Sequence, residues 1–238
     1  MIHALHGNLG LPDDLLPLLH ATGRKFSAWH LWQWLRENPD TASFDGFAAA
    51  LNAAAAAHAA PRVLLGYSLG GRLALYSLTQ NPGLWDAAIL ISVHPGLTNN
   101  CEREAREAVD YAWALRVRHE PWLELMEAWN AQPVLAGAGL PPERQQLVEP
   151  WRAEIALSFD LWSLARQPDL RPLLPSVTCP VLWITGENDA KFTALAAEAS
   201  ALMPRSQHVV IPAAGHRVQV DQTVAVQLTI RAFAESRC

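Results

Sequence analysis

Cysteine is scarce: the 238 residues hold three, Cys101, Cys179 and Cys238. They are far apart, odd in number and form no C-x-x-C pair, so neither a disulfide framework nor a thiolate metal site is expected. A reduced, cytoplasmic protein is the simplest reading. Lysine is scarcer still, with only Lys25 and Lys191, and the other cations are all arginine. Positive charge is not in excess, since the formal net charge is −5. That excludes the broad basic footprint of a nucleic-acid binder and the polybasic patch of a membrane-surface protein. No apolar run reaches the roughly 18 residues of a membrane span, and Met1–Gly10 lacks the basic and apolar regions of a signal peptide. No His, Cys and carboxylate cluster has metal-ligand spacing, so neither a metal nor an organic cofactor is expected.

What the chain does have is apolar mass: half its residues are hydrophobic, enough for a sheet covered on both faces. Short apolar bursts alternate with helix-like stretches. Ile2–Leu5, Phe26–Leu31, Arg62–Gly66, Ala87–Val93, Val181–Gly186 and Gln207–Ile211 read as strands. Pro12–Ala21, Phe44–Ala60, Leu69–Gln80, Phe192–Met203 and Thr223–Glu235 read as the helices between and after them. Continuous apolar strands separated by helices predict a mostly parallel sheet of about six strands. One α/β domain over 1–238 is expected. Residues 97–175 break the rhythm. They show no strand and several helical segments (Glu102–Arg118, Trp122–Asn130, Arg144–Ser158, Leu161–Gln167), and they carry Trp113, Trp122, Trp129, Trp151 and Trp162. This reads as a helical cap inserted between two strands of the sheet.

Gly66-Tyr67-Ser68-Leu69-Gly70 is a G-x-S-x-G that follows one apolar strand and opens a helix. That context is the signature of a nucleophile elbow in an α/β-hydrolase fold, with Ser68 as the nucleophile. The backbone N–H of Leu69, next to the nucleophile, and that of Asn8, in the turn after the first strand, are the expected oxyanion donors. The fold demands a chain order of serine, acid, histidine. Asp189 follows the strand VLWITG, and His216 follows QHVVI through Pro212-Ala213-Ala214-Gly215. His216 would take the hydroxyl proton and Asp189 would orient the imidazole. Asp189 is equally placed to cap the next helix, His216 to be a loop residue, and Glu187 is a competing acid. His6, His20, His30, His94 and His208 lack such context and read as structural. Arg72 lies one helical turn after Ser68, facing either the pocket or solvent. Spacing does not choose among Arg103, Arg106, Arg116, Arg118 and Arg152 in the inserted segment.

Larger blocks carry a narrower resemblance. GYSLGGRLALY, HPGL at His94–Leu97, EAWNAQPVLA at Glu127–Ala136, QPDLRPLL at Gln167–Leu174, GENDAKFTALAAE at Gly186–Glu198 and IPAAGH together resemble the 2-succinyl-6-hydroxy-2,4-cyclohexadiene-1-carboxylate synthases, from about His6 onward. The resemblance implies elimination of pyruvate from a cyclohexene tricarboxylate in menaquinone biosynthesis, with the triad serine acting as a base on a ring proton. It implies that Tyr67, Arg72, Arg106, Trp129 and Arg152 contact this small anionic substrate. A serine hydrolase acting on a small ester or thioester is the alternative. The chain departs from the wider superfamily in two places. The usual leading hairpin before His6 is absent, and Ala28–Asn38 lacks the usual D-x-x-G-x-G turn, which is expected to alter a loop near Trp32 and Trp34. Oligomeric state is not legible in these patterns.

Overall fold

The computed structural model describes residues 1–235 except 138 and 140; Cys238 and two positions of the 97–175 insertion therefore lie outside the described residues. Six strands form the sheet: β1 Ile2–Leu5, β2 Phe26–Trp29, β3 Val63–Tyr67, β4 Ala87–Ile91, β5 Val181–Gly186 and β6 Ser206–Ile211. Their order is β2-β1-β3-β4-β5-β6, and every neighbouring pair is parallel. The strand β1 thus lies one in from the β2 edge, and β3 to β6 follow in chain order toward the other edge.

The central strands are apolar throughout because both faces are covered. Side chains alternate between two cores: Leu64, Ala88 and Leu90 enter one, and Leu65, Ile89 and Ile91 the other. The first core is closed by α2 Leu31–Glu37, α3 Phe44–Ala56 and α4 Leu69–Gln80, following α1 Leu16–Ala21 in the chain. Leu18 and Leu19 of α1 lie in the second core. Between β4 and β5 run α5 Asn100–His119, α6 Trp122–Asn130, α7 Pro142–Gln146 and α8 Arg152–Leu161. After β5 come α9 Ala190–Ala201, α10 Val218–Asp221 and α11 Thr223–Glu235; α11 packs on α1.

Three local expectations change. Helix Arg144–Ser158 is two helices, α7 and α8, with a short 3₁₀ turn at Glu149–Trp151. Pro150 lies in that turn, where its missing N–H cannot continue an α-helical ladder. Leu161–Gln167 is turns rather than helix. Ser163 Oγ accepts from Ala165 N (3.0 Å) and donates to buried Asp110 (2.7 Å), and Pro168 disfavours α conformation at Gln167. Most of Ala28–Asn38 is not a loop. β2 ends at Trp29, His30 Nδ1 accepts from Gln33 N, and α2 begins. Trp32 is fully buried there, its indole N–H donating to Gly10 O (2.7 Å).

Candidate active site

β3 delivers Ser68 into a turn that most residues avoid, with φ +51° and ψ −112°. The turn is held from both sides. Ser68 N donates to Ile91 O of β4 (2.9 Å), and a side chain at Gly66 would place Cβ 2.6 Å from Gly70 O. The hydroxyl therefore stands proud of the sheet's carboxyl edge, at the N-terminus of α4. Loops after β5 and β6 come to the same place. His216 Nε2 lies 3.0 Å from Ser68 Oγ, and His216 Nδ1 lies 2.7 Å from Asp189 Oδ2. Asp189 and His216 are buried, while Ser68 is half-buried. Ser92 Oγ donates to His216 O (3.0 Å), tying the histidine loop to the end of β4. Asp189 also caps the next helix, its other oxygen accepting from Phe192 N at the start of α9 (3.3 Å). Glu187 instead accepts from Ala213 N (3.0 Å) and is exposed.

Ser68 and His216 sit on a wall shared by two cavities. The larger, about 170 Å³, is also lined by Asn8, Leu69, Arg72, Arg106 and Trp129. Among the described residues, neither the Asn8 nor the Leu69 backbone N–H donates to another backbone carbonyl, so both remain available to a developing oxyanion. Arg72 is buried, and the partners its side chain finds are neutral: Trp162 O (2.8 Å) and Gln167 Oε1 (3.2 Å). Burial, with Arg106 nearby, pulls Arg72 down to about 9, still a cation at neutral pH. Arg106 is held by Asp110 (2.9 Å) but remains part-exposed. The smaller cavity, about 50 Å³, is lined by Tyr67, Arg217 and Gln219 among others.

Arg152 is not brought to either cavity. Its guanidinium donates to Glu120 O (2.7 Å) and packs over the Trp122 ring. A substrate contact for Arg152 was implied by the family resemblance, and the side chain is instead taken up by these neighbours.

The structure adds His94, Gln132 and Lys191 to the larger cavity. Lys191 is one of only two lysines and lies in the GENDAKFTALAAE segment, a signal that was present in the sequence. His94 had been read as structural. Its Nδ1 accepts from Gly96 N (3.1 Å), and burial together with the cations Lys191, Arg72, Arg171 and Arg106 pushes it down to about 3. His6, fully buried with Nε2 accepting from Leu31 N (3.1 Å), is likewise pushed down to about 3 by burial. Both are neutral at pH 7. On unfolding they would titrate near 6.5, so the unfolded chain binds more protons below that value. Stability is therefore expected to fall as pH drops from 6.5 toward 3, by up to about 1.4 kcal/mol per pH unit for each group. Urea melts at pH 7 and pH 4.5 check this, and His94→Gln should show a shallower pH slope than wild type.

With this geometry described, comparison with known proteins gives a consistent result. The model of the Alpha/beta hydrolase family matches residues 5–226. A 2-succinyl-6-hydroxy-2,4-cyclohexadiene-1-carboxylate synthase from Enterobacter sp. (strain 638) is 40% identical over 167 residues, covering 68% of this chain and 62% of the relative. The chain thus spans a little under two thirds of that relative's length. Among solved structures, MenH from S. aureus superposes with a TM-score of 0.84 at 23% identity, covering 99% of this chain and 93% of that one. A thermophilic esterase from Thermogutta terrifontis, malate bound, gives 0.74 at 21% identity, covering 99% and 89%. At such identities these two are likenesses of fold.

Proposed function

The chain belongs to the Alpha/beta hydrolase family, and from that premise we propose that it eliminates pyruvate from a cyclohexene tricarboxylate to form 2-succinyl-6-hydroxy-2,4-cyclohexadiene-1-carboxylate, a step of menaquinone biosynthesis. The observation that carries this reading is the charge around Ser68. A buried Arg72 with neutral partners, a tethered Arg106 and Lys191 line one cavity beside the nucleophile. A buried guanidinium without an anion is costly, and a carboxylate offers it short, charge-assisted bonds. A pocket for neutral esters has no use for three cations. The 40% identity to a synthase of that name supports the same substrate class.

In this reading His216 takes the Ser68 proton, and Asp189 holds the imidazole in the tautomer that can accept it. Ser68 oxygen then removes a ring proton. The electron pair passes through the ring, the C–O bond to the three-carbon unit breaks, and that unit leaves as the enol form of pyruvate. The N–H groups of Asn8 and Leu69 stabilise negative charge that develops on the substrate oxygen near them. Residues 97–175 act as a cap, with α5 supplying Arg106 and α6 supplying Trp129. Tyr67 sits at the elbow beside the small cavity. Cys101 is an exposed free cysteine, which suits a reducing cytoplasm. No helix among the described residues is long and apolar enough to cross a membrane.

A second reading, a serine hydrolase for a small anionic ester or thioester, is favoured by the Ser68–His216–Asp189 geometry, which also suits acyl transfer. One assay separates the two: pyruvate release from the tricarboxylate, run beside a panel of simple esters. Release at a kcat/KM of about 10⁴ M⁻¹s⁻¹ or more is expected. Background-level release with steady ester turnover would move the assignment to the hydrolase. Arg106→Gln should raise KM for the tricarboxylate about tenfold or more, the scale of one lost hydrogen bond to a charged group. The same variant should hardly change the KM of any neutral ester that turns over.

A further inference from the structure

The small cavity shares Ser68, His216, Asn8 and Trp129 with the larger one, but it is lined by Arg217 where the larger is lined by Arg72 and Arg106. Arg217 follows His216 directly, so the backbone that sets the imidazole also sets this guanidinium. The residue is buried. Its Nη2 donates to the neutral Asn130 Oδ1 (2.5 Å), and its Nη1 is buried with no hydrogen-bond partner. Two more polar atoms on the same wall, Gln219 Oε1 and Asn8 Oδ1, are also buried without partners. Asp14 lines the cavity too, but its carboxylate is taken by Arg144 Nε (2.8 Å) and Leu11 N (2.8 Å). An unsatisfied buried guanidinium N–H is costly unless something else accepts from it.

We propose that this small cavity binds a short carboxylate arm of the substrate through Arg217. The inference rests on the elimination reading, in which that arm belongs to the three-carbon unit that leaves. A volume near 50 Å³ holds only about three or four water-sized groups, room for a carboxylate and an atom or two but not for a ring. Gln219 can present its amide nitrogen to the same carboxylate. Its oxygen has no partner in the present orientation, and on turning the amide that oxygen can accept from the Tyr67 hydroxyl in place of the bond the amide now makes there. The substrate then spans both cavities. Its bulky anionic part lies against Arg72 and Arg106, its short arm against Arg217, and the reacting carbon at Ser68 between them. Two separated cationic contacts would select for substrates with carboxylates at a fixed distance, each half alone binding more weakly than the whole.

The test is calorimetric titration of the full-length chain with pyruvate, which needs no turnover. Arg217→Gln should weaken pyruvate binding about tenfold or more, as expected for one lost charge-assisted contact, and Arg217→Lys should recover part of it. Arg106→Gln, in the other cavity, should change pyruvate affinity by no more than about twofold. Fluorophosphonate labelling of Ser68 in each variant reports an intact elbow. If Arg217→Gln loses that labelling, Gln219→Leu takes its place with the same direction expected. Equal pyruvate affinity in wild type and in the folded variant overturns the proposal, and so does a wild type that binds no pyruvate. A chain that binds pyruvate through Arg217 yet releases none from the tricarboxylate would overturn the elimination reading while keeping the subsite.

Discussion

Ser68→Ala is expected to lower turnover by about 10²–10⁴-fold, the range lost with a positioned acid–base group, while leaving the melting temperature within a few degrees of wild type. The oxygen that leaves makes one side-chain contact, to His216 Nε2 at 3.0 Å, and it stands half-buried at a cavity wall. No packed volume is lost. The backbone strain at φ +51° is the same for alanine as for serine. The loss should appear in kcat rather than KM, because Arg72, Arg106 and Trp129 still line the cavity. His216→Ala added to Ser68→Ala should cost little more, since the two act as a unit and their deletions are not additive. Pyruvate release by the two single variants and the double variant, with circular-dichroism melts alongside, checks this. A Ser68→Ala enzyme that retains a tenth of wild-type turnover would remove the serine from the chemistry.

Gly70→Ala is expected to damage both folding and activity. Its Cβ would stand 2.3 Å from Leu5 O and 2.4 Å from His6 O. Both are backbone atoms, and neither can rotate away. To accept the methyl, α4 must back off from the end of β1, at the one point where the elbow meets the turn carrying Asn8. A cost of about 3 kcal/mol or more is expected for such overpacking, which lowers the melting temperature of a chain of this size by about 6–12 °C. Activity should fall beyond the loss of folded protein, because the same shift moves Ser68 and the Leu69 N–H away from Asn8. Gly83→Ala is the matched control: a Cβ there meets nothing within 4 Å, and it should melt within about 2 °C of wild type. Thermal melts of the three proteins, with activity normalised to the folded fraction, decide the matter.

The parts of the chain that were legible in advance are those where local physics leaves one outcome. Strands such as VLWITG must be buried on both faces, so they predict a parallel sheet, and the sheet has the six strands expected. Gly66 and Gly70 flank Ser68 because close backbone approach forbids anything larger, and that necessity shows in five letters. Chain order pointed to His216 and to Asp189 with Glu187 competing, and only the structure sets Asp189 Oδ2 2.7 Å from His216 Nδ1 and His216 Nε2 3.0 Å from Ser68 Oγ. The arginines behave differently. A guanidinium on a long stem reaches wherever its neighbours allow, and those neighbours are distant in sequence. Arg72 is buried by Trp162 and Gln167, some 90 residues away. Arg152 is drawn off to Glu120, and Arg217, which no motif marks, is turned into a cavity beside the triad. His94 and Lys191 join the site because β4 and β5 are adjacent in the sheet although about ninety residues separate them in the chain. Fold class and nucleophile are thus properties of short segments under steric constraint. Which cations face the substrate is decided only when the inserted helices close over the sheet, since burial and charge pairing are set by contacts that no local pattern encodes.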